Sequence, residues 1–212
     1  MSAYSLEEQE KIDGLKTWWN RNGTMMIVLL ALVVFTAGGV KAWQFYQQKQ
    51  SRQASDLYAL LQQVQASNDA TKIHDAAQLV MTGYPSSGYA PRAALITAQA
   101  DVQNSNAKRA LQSLQWIVDN AKESSLHDLA RLRISGILLD EEKYDDALKT
   151  ISMPHSDSFS GLYLDRKGDI LVATNKLSEA RLSYQEAISK LSKTNTYFNI
   201  VQMKLDALGE SD

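Results

Sequence analysis

A chain of 212 residues with 44% hydrophobic side chains is long enough for one sizeable core beside short accessory segments. Its 22 basic and 24 acidic residues give a formal charge of −2, without the basic stripe that a phosphate backbone requires, so no nucleic-acid partner is expected. The absence of cysteine excludes disulfides, thiolate metal sites, a thiol nucleophile and a lipoprotein anchor, and 10 Gly with 3 Pro favour an all-α fold.

Residues 1–21 form an acidic tail carrying Glu7, Glu8, Glu10 and Asp13, placed in the cytoplasm. A transmembrane helix is expected over 22–42. From Asn22 to Val40 nineteen residues pass without a charge, and Met25 to Phe35 is continuously apolar. At 1.5 Å per residue the run covers about 28 Å, close to the ~30 Å hydrocarbon thickness. Trp18 and Trp19 precede it, and Trp43, Phe45 and Tyr46 follow, as interfacial rings. A cleaved signal peptide is the rival reading, with Ala37-Gly38-Gly39 as a loose cleavage site, but its n-region would have to be acidic, whereas such regions are positive. A buried soluble helix is disfavoured because the run has no polar face. Basic residues do not decide orientation: Lys11, Lys16 and Arg21 on one side are matched by Lys41, Lys49 and Arg52 on the other. A short tail ahead of an early span ordinarily stays inside, and long domains cross regardless of charge, so the C-terminal part is expected on the periplasmic side.

Residues 43–66 are expected to continue the helix as a stalk, because Gln47 to Gln65 holds neither Pro nor Gly. Residues 67–212 then show a repeat. Gly168 and Leu171, a polar break at Thr174-Asn175-Lys176, Ala180, Tyr184 and Ala187 follow the ~34-residue tetratricopeptide pattern, with small residues where two helices cross closely. The frame recurs upstream at Ser135 with Ala147 and at Ala98 with Ala107 and Ala110, and more weakly at Ile73, Ala76, Val80 and Gly83. The alanines 76, 110, 147 and 180 are spaced 34, 37 and 33 apart. Pro154 should shorten the second helix of the third unit. A generic antiparallel bundle is the competing architecture. The last helix, from about Thr196 to Leu208, suits a terminal cap.

In such a solenoid the first helix of each unit lines a concave surface. The register puts Arg92, Leu95, Gln99, Val102 and Gln103 there in one unit and Leu129, Leu132, Leu139 and Asp140 in the next. Leu162, Asp165, Asp169, Val172 and Ala173 follow in the last. Leucines on an open face point to a protein-binding groove; alternatively they seal the core between divergent repeats.

No catalytic or cofactor constellation is legible. His74, His127 and His155 stand too far apart for a metal site and read as solvated, and the carboxylates at Glu141-Glu142 and Asp145-Asp146 fall at a turn. No cofactor and no enzymatic activity are expected.

The stretch Leu15-Lys16-Thr17-Trp18-Trp19-Asn20-Arg21-Asn22-Gly23, then Ala42-Trp43-Gln44-Phe45-Tyr46, then Ala130-Arg131-Leu132, Ala147-Leu148-Lys149-Thr150 and Arg166-Lys167-Gly168-Asp169 resemble the YfgM-type ancillary subunits of the SecYEG translocon. The similarity covers essentially the whole chain. It implies a bacterial inner-membrane protein with a cytoplasmic N-terminus. Its periplasmic repeats would work beside SecYEG, with a PpiD-type chaperone, on unfolded, newly translocated envelope proteins. A periplasmic scaffold for envelope or division-site assembly is the alternative.

Overall fold

The computed structural model describes residues 6–194 and 196–209, so the first five residues of the expected tail and the last three of the expected repeat domain lie outside the described residues. Among the described residues every regular element is helical. The chain divides into two compact units, one up to Gln50 and one from Ser51 onward.

Helix α1, Leu6–Gln65, supplies all the described residues of the first unit and continues into the second. It is the one helix among the described residues long and apolar enough to cross a membrane. Its apolar stretch is not a soluble core, since the side chains from Met25 to Val34 are exposed and Phe35 is 83% exposed. The hydroxyl of Thr36 is satisfied within the helix, donating to the carbonyls of Leu32 and Val33 at 2.9 Å.

The second unit is a series of helical hairpins. The end of α1 pairs with α2 (Ala70–Gly83), α3 (Tyr89–Gln103) with α4 (Ala107–Asn120), and α5 (Ser124–Asp140) with α6 (Tyr144–Ile151). After a 3-10 turn at Asp157–Phe159, α7 (Ser160–Ala173) pairs with α8 (Leu177–Lys190), and α9 (Thr196–Ala207) closes the series. Four core clusters each join one hairpin to the next element: Leu61, Ile73 and Val80 meet Ala93 and Ala100, and the pattern continues to Tyr184 meeting Val201 on α9.

Each hairpin turns at one residue of positive φ, Asn68, Ser105, Glu142 and Asn175, spaced 37, 37 and 33 apart. In three of the turns the next N–H reaches back into the first helix: Asn106 to the Asp101 carbonyl, Lys143 to Leu138 and Lys176 to Leu171, each at 2.8 Å. This is the Schellman arrangement, which satisfies the last carbonyls of a helix and reverses the chain in few residues. The next helix starts at once, capped in two cases: the Asp69 carboxylate accepts from the N–H groups of Thr71 and Lys72, and Asn106 accepts from Arg109.

These turns correct the register of the first repeat. The N–H groups of Ile73, Ala110, Ala147 and Ala180 each donate to the cap carbonyl that opens their helix, so Ile73, not Ala76, is equivalent to the later alanines. Ala76 is buried on the same face one position in i, i+3 further on, which made its spacing look regular. Bulk is exchanged within the hairpin: Ile73 stands where the others have alanine, and Ala77 where the others have Leu114, Ile151 and Tyr184.

The third hairpin is cut short, as Pro154 requires, and its missing turn is replaced by a clamp. Buried Asp128 accepts from the Ser156 N–H at 3.1 Å and the Ser156 hydroxyl at 2.6 Å, while Arg131 donates to the Pro154 carbonyl at 3.0 Å. The Tyr163 phenol donates to the Asp128 carbonyl at 3.1 Å, and the His155 ring stacks on Tyr163 with centroids 4.0 Å apart. Burial first, and then the Asp128 charge, push the Tyr163 phenol up to about 12, so it stays a donor.

Candidate functional site

The first helices of three hairpins border one cavity of about 280 Å³. From α3 come Ala98, Gln99, Val102 and Gln103, from α5 Arg133, Gly136, Ile137 and Asp140, from α7 Arg166, and Leu114 of α4 closes the floor. Residues three and four apart on a helix share a face, which is why Gln99, Val102 and Gln103 arrive together, as do Arg133, Gly136, Ile137 and Asp140.

Of the inward positions read from sequence, Gln99, Val102, Gln103 and Asp140 therefore meet at this cavity. The others are placed differently. Arg92 is tied at the start of α3, donating to the Gly88 carbonyl and standing 3.4 Å from Glu123. Leu95 is partly buried against the α3–α4–α5 core. Leu129 is half-buried on α5. Leu132 is 8% exposed inside the cluster of Ala147, Ile151, Tyr163 and Ile170, and Leu139 and Leu162 pack against that cluster. These three leucines seal the core between the third hairpin and α7. Val172 and Ala173 are exposed at the end of α7.

Asp165 and Asp169 are engaged by the cap. Asp165, 1% exposed, accepts from Lys204 Nζ of α9 at 2.9 Å through both oxygens and from the Tyr197 hydroxyl at 2.6 Å. The same ammonium reaches Asp169 at 2.7 and 3.0 Å, and the Tyr184 hydroxyl donates to Asp169 at 2.8 Å. Burial foremost, with these carboxylates beside them, raises both phenols well above the ordinary tyrosine value. One ammonium between two carboxylates thus fastens the terminal helix, and these acids are not an open binding surface.

Sequence reasoning did not single out Arg133 and Arg166. A usable signal was present, since each stands two residues before the small residue of its crossing, Ser135 and Gly168. Arg166 lies over Gly136, where a Cβ would come within 3.4 Å of its guanidinium.

A second cavity of about 300 Å³ is lined from α2, α3 and α4, including His74, Thr97, Arg109 and Trp116. Nearby, Asp101 is 2% exposed, with Arg109 Nε at 3.5 Å and its other oxygen without a hydrogen-bond partner. Burial raises its carboxyl above the ordinary value, against the pull of Arg109 and His74. His74 and His127 are half-buried, not solvated: His74 Nδ1 lies 3.4 Å from the Thr97 hydroxyl and His127 Nε2 2.6 Å from the Ala121 carbonyl. Among the described residues no three potential ligands gather to hold a metal.

The described helices, joined by regularly spaced hairpin turns with small residues at most crossings, find their counterpart in the tetratricopeptide repeat-like domain family, which matches residues 16–210. A Neisseria gonorrhoeae protein described as an ancillary SecYEG translocon subunit is 31% identical over 97% of this chain and 99% of its own. The chain belongs to this family. A Haemophilus influenzae relative of the same description is 30% identical over 97% of this chain and 100% of its own, and an Escherichia coli K12 relative 22% identical over 95% and 96%. No solved structure matches.

Proposed function

We propose that this chain is an ancillary, non-catalytic subunit of the Sec translocon in a bacterial inner membrane, holding its partners through the repeat domain. The observation that carries the reading is whole-length similarity to relatives described as ancillary SecYEG translocon subunits, span and repeats included. The cavity bordered by α3, α5 and α7 supports it, because a face of amides, guanidiniums and apolar floor suits polypeptide recognition.

In this reading residues 1–21 lie in the cytoplasm, 22–42 cross the bilayer, 43–66 form the stalk and 67–212 are the periplasmic repeat domain. The domain works with a PpiD-type chaperone on newly translocated envelope proteins. Its binding face comprises Gln99, Val102, Gln103 and Asp140, extended by Arg133 and Arg166.

Val102, 48% exposed in the cavity wall, is the position for a photo-crosslinking residue in intact membranes. Crosslinks to translocon subunits or to a membrane-anchored chaperone are expected. Recovery of division-site or envelope-assembly scaffolds alone would replace this reading by a periplasmic scaffold. Topology is tested separately: a reporter active only in the periplasm, fused after the last residue, is expected to be active. A soluble form starting near Val40 would overturn the anchor.

A further inference from the structure

The geometry points to one kind of occupant for this cavity: an extended polypeptide segment carrying a single acidic side chain between apolar residues. Arg133 and Arg166 hold the carboxylate, and an apolar neighbour rests on Val102, Leu114 and Ile137. This rests on the protein-binding reading and names the chemistry of the partner.

The two guanidiniums have donors to spare. No carboxylate among the described residues forms an ion pair with Arg133, which is exposed on α5. Arg166 has one ion pair, to Asp169 at 3.5 Å, but the oxygens of Asp169 already receive Lys204 at 2.7 and 3.0 Å and the Tyr184 hydroxyl at 2.8 Å. Arg166 Nε is buried without a hydrogen-bond partner, so the terminal nitrogens of this side chain are the ones offered to an occupant. Two under-used guanidinium forks on neighbouring helices at one cavity form a carboxylate receptor, because planar paired donors match planar paired acceptors.

The rest of the cavity selects the polymer. After Arg52 the chain has 16 basic and 20 acidic residues, so this arginine pair is a local positive spot on an acidic domain, which repels nucleic acid. Gln99 and Gln103 offer both donors and acceptors, as a peptide backbone requires. About 280 Å³ falls just below the roughly 300–1,000 Å³ typical of small-molecule sites, which suits one or two side chains of a longer segment. Asp140 in the same wall sets the count, because its charge opposes a run of acids.

The test uses the full-length protein in detergent micelles and fluorescein-labelled, end-blocked peptides with the core Ala-Leu-Glu-Leu-Ala, read by fluorescence anisotropy. The glutamate peptide is expected to bind about tenfold or more tightly than the same peptide with glutamine, the scale of a charge-assisted hydrogen bond. Arg133→Glu, at an exposed position, is expected to abolish that preference and favour a lysine peptide at an unchanged melting temperature. Equal binding of the glutamate and glutamine peptides, wild-type behaviour of Arg133→Glu, or tighter binding of a peptide ending in a free carboxylate would each overturn the proposal. If none of the peptides binds, the acidic-segment proposal fails, while crosslinks from Val102 to translocon subunits would keep the broader protein-binding reading.

Discussion

The ring of Tyr184 lies directly against Gly168: a Cβ built on that glycine would sit 2.3 Å from Tyr184 Cε1. The ring cannot swing aside freely, because its hydroxyl is bonded to Asp169. In an open helix Gly→Ala gains about 1 kcal/mol, but forcing an atom into a packed crossing costs about 1 to 3 kcal/mol. Gly168→Ala is therefore expected to lower stability by about 2 kcal/mol in thermal unfolding followed by circular dichroism. Gly136→Ala meets only the flexible end of Arg166 at 3.4 Å and is expected to be neutral or stabilising. Equal effects at the two glycines would contradict this account of the crossing.

The Lys204 ammonium is the sole cation among the described residues within ion-pair distance of buried Asp165. Replacing it with methionine keeps the length of the stem but leaves buried Asp165 without a cation and Asp169 with Arg166 alone, at 3.5 Å. Breaking a buried pair from one side costs about 3 kcal/mol or more. Lys204→Met is expected to speed amide exchange in α9 first, before the earlier hairpins. Unchanged protection of α9 would show that apolar packing around Val201 alone holds the cap.

Glu142 turns the third hairpin at φ 60°, a region that L side chains occupy at a cost of about 1 to 2 kcal/mol. Glycine adopts it freely, and the loss of unfolded-state order from adding glycine offsets part of the gain. Glu142→Gly is expected to raise the melting temperature by about 2–4 °C, the shift that about 1 kcal/mol produces in a chain of this size. A lowered melting temperature would mean that the Glu142 side chain is needed elsewhere.

Asp101 gives a pH-dependent stability of definite sign. Burial holds its folded pKa above the unfolded one, so its favourable contribution is present below the ordinary carboxylate value and is lost as pH rises through the raised value. At neutral pH the buried carboxylate, with one oxygen unpartnered, is a cost. Asp101→Asn is expected to stabilise by about 1 kcal/mol at neutral pH, and the gain should vanish below about pH 4. A gain that grows on acidification would reverse the assignment.

What the sequence determined by itself was local. An uncharged run with aromatic flanks makes a helix suited to a bilayer, and polar breaks between apolar periods mark hairpin turns, because these follow from hydration and backbone chemistry within a few residues. Small residues at the crossings gave the repeat, since close approach of helices demands them wherever the partner comes from.

Tertiary structure decided which neighbour covers each face. Leu132 and Gln99 both read as inward, yet one is buried by the short third hairpin and the other borders an open cavity. The partners of Asp165 and Asp169 lie 39 and 35 residues away at Lys204, beyond the reach of any helical period. Ile73 replaced Ala76 in the register only because the turn geometry showed where the helix begins. Arg133 and Arg166 became a pair only when stacking brought α5 beside α7. Periodicity states that a face is apolar or polar; the crossing of helices distant in sequence settles what that face meets.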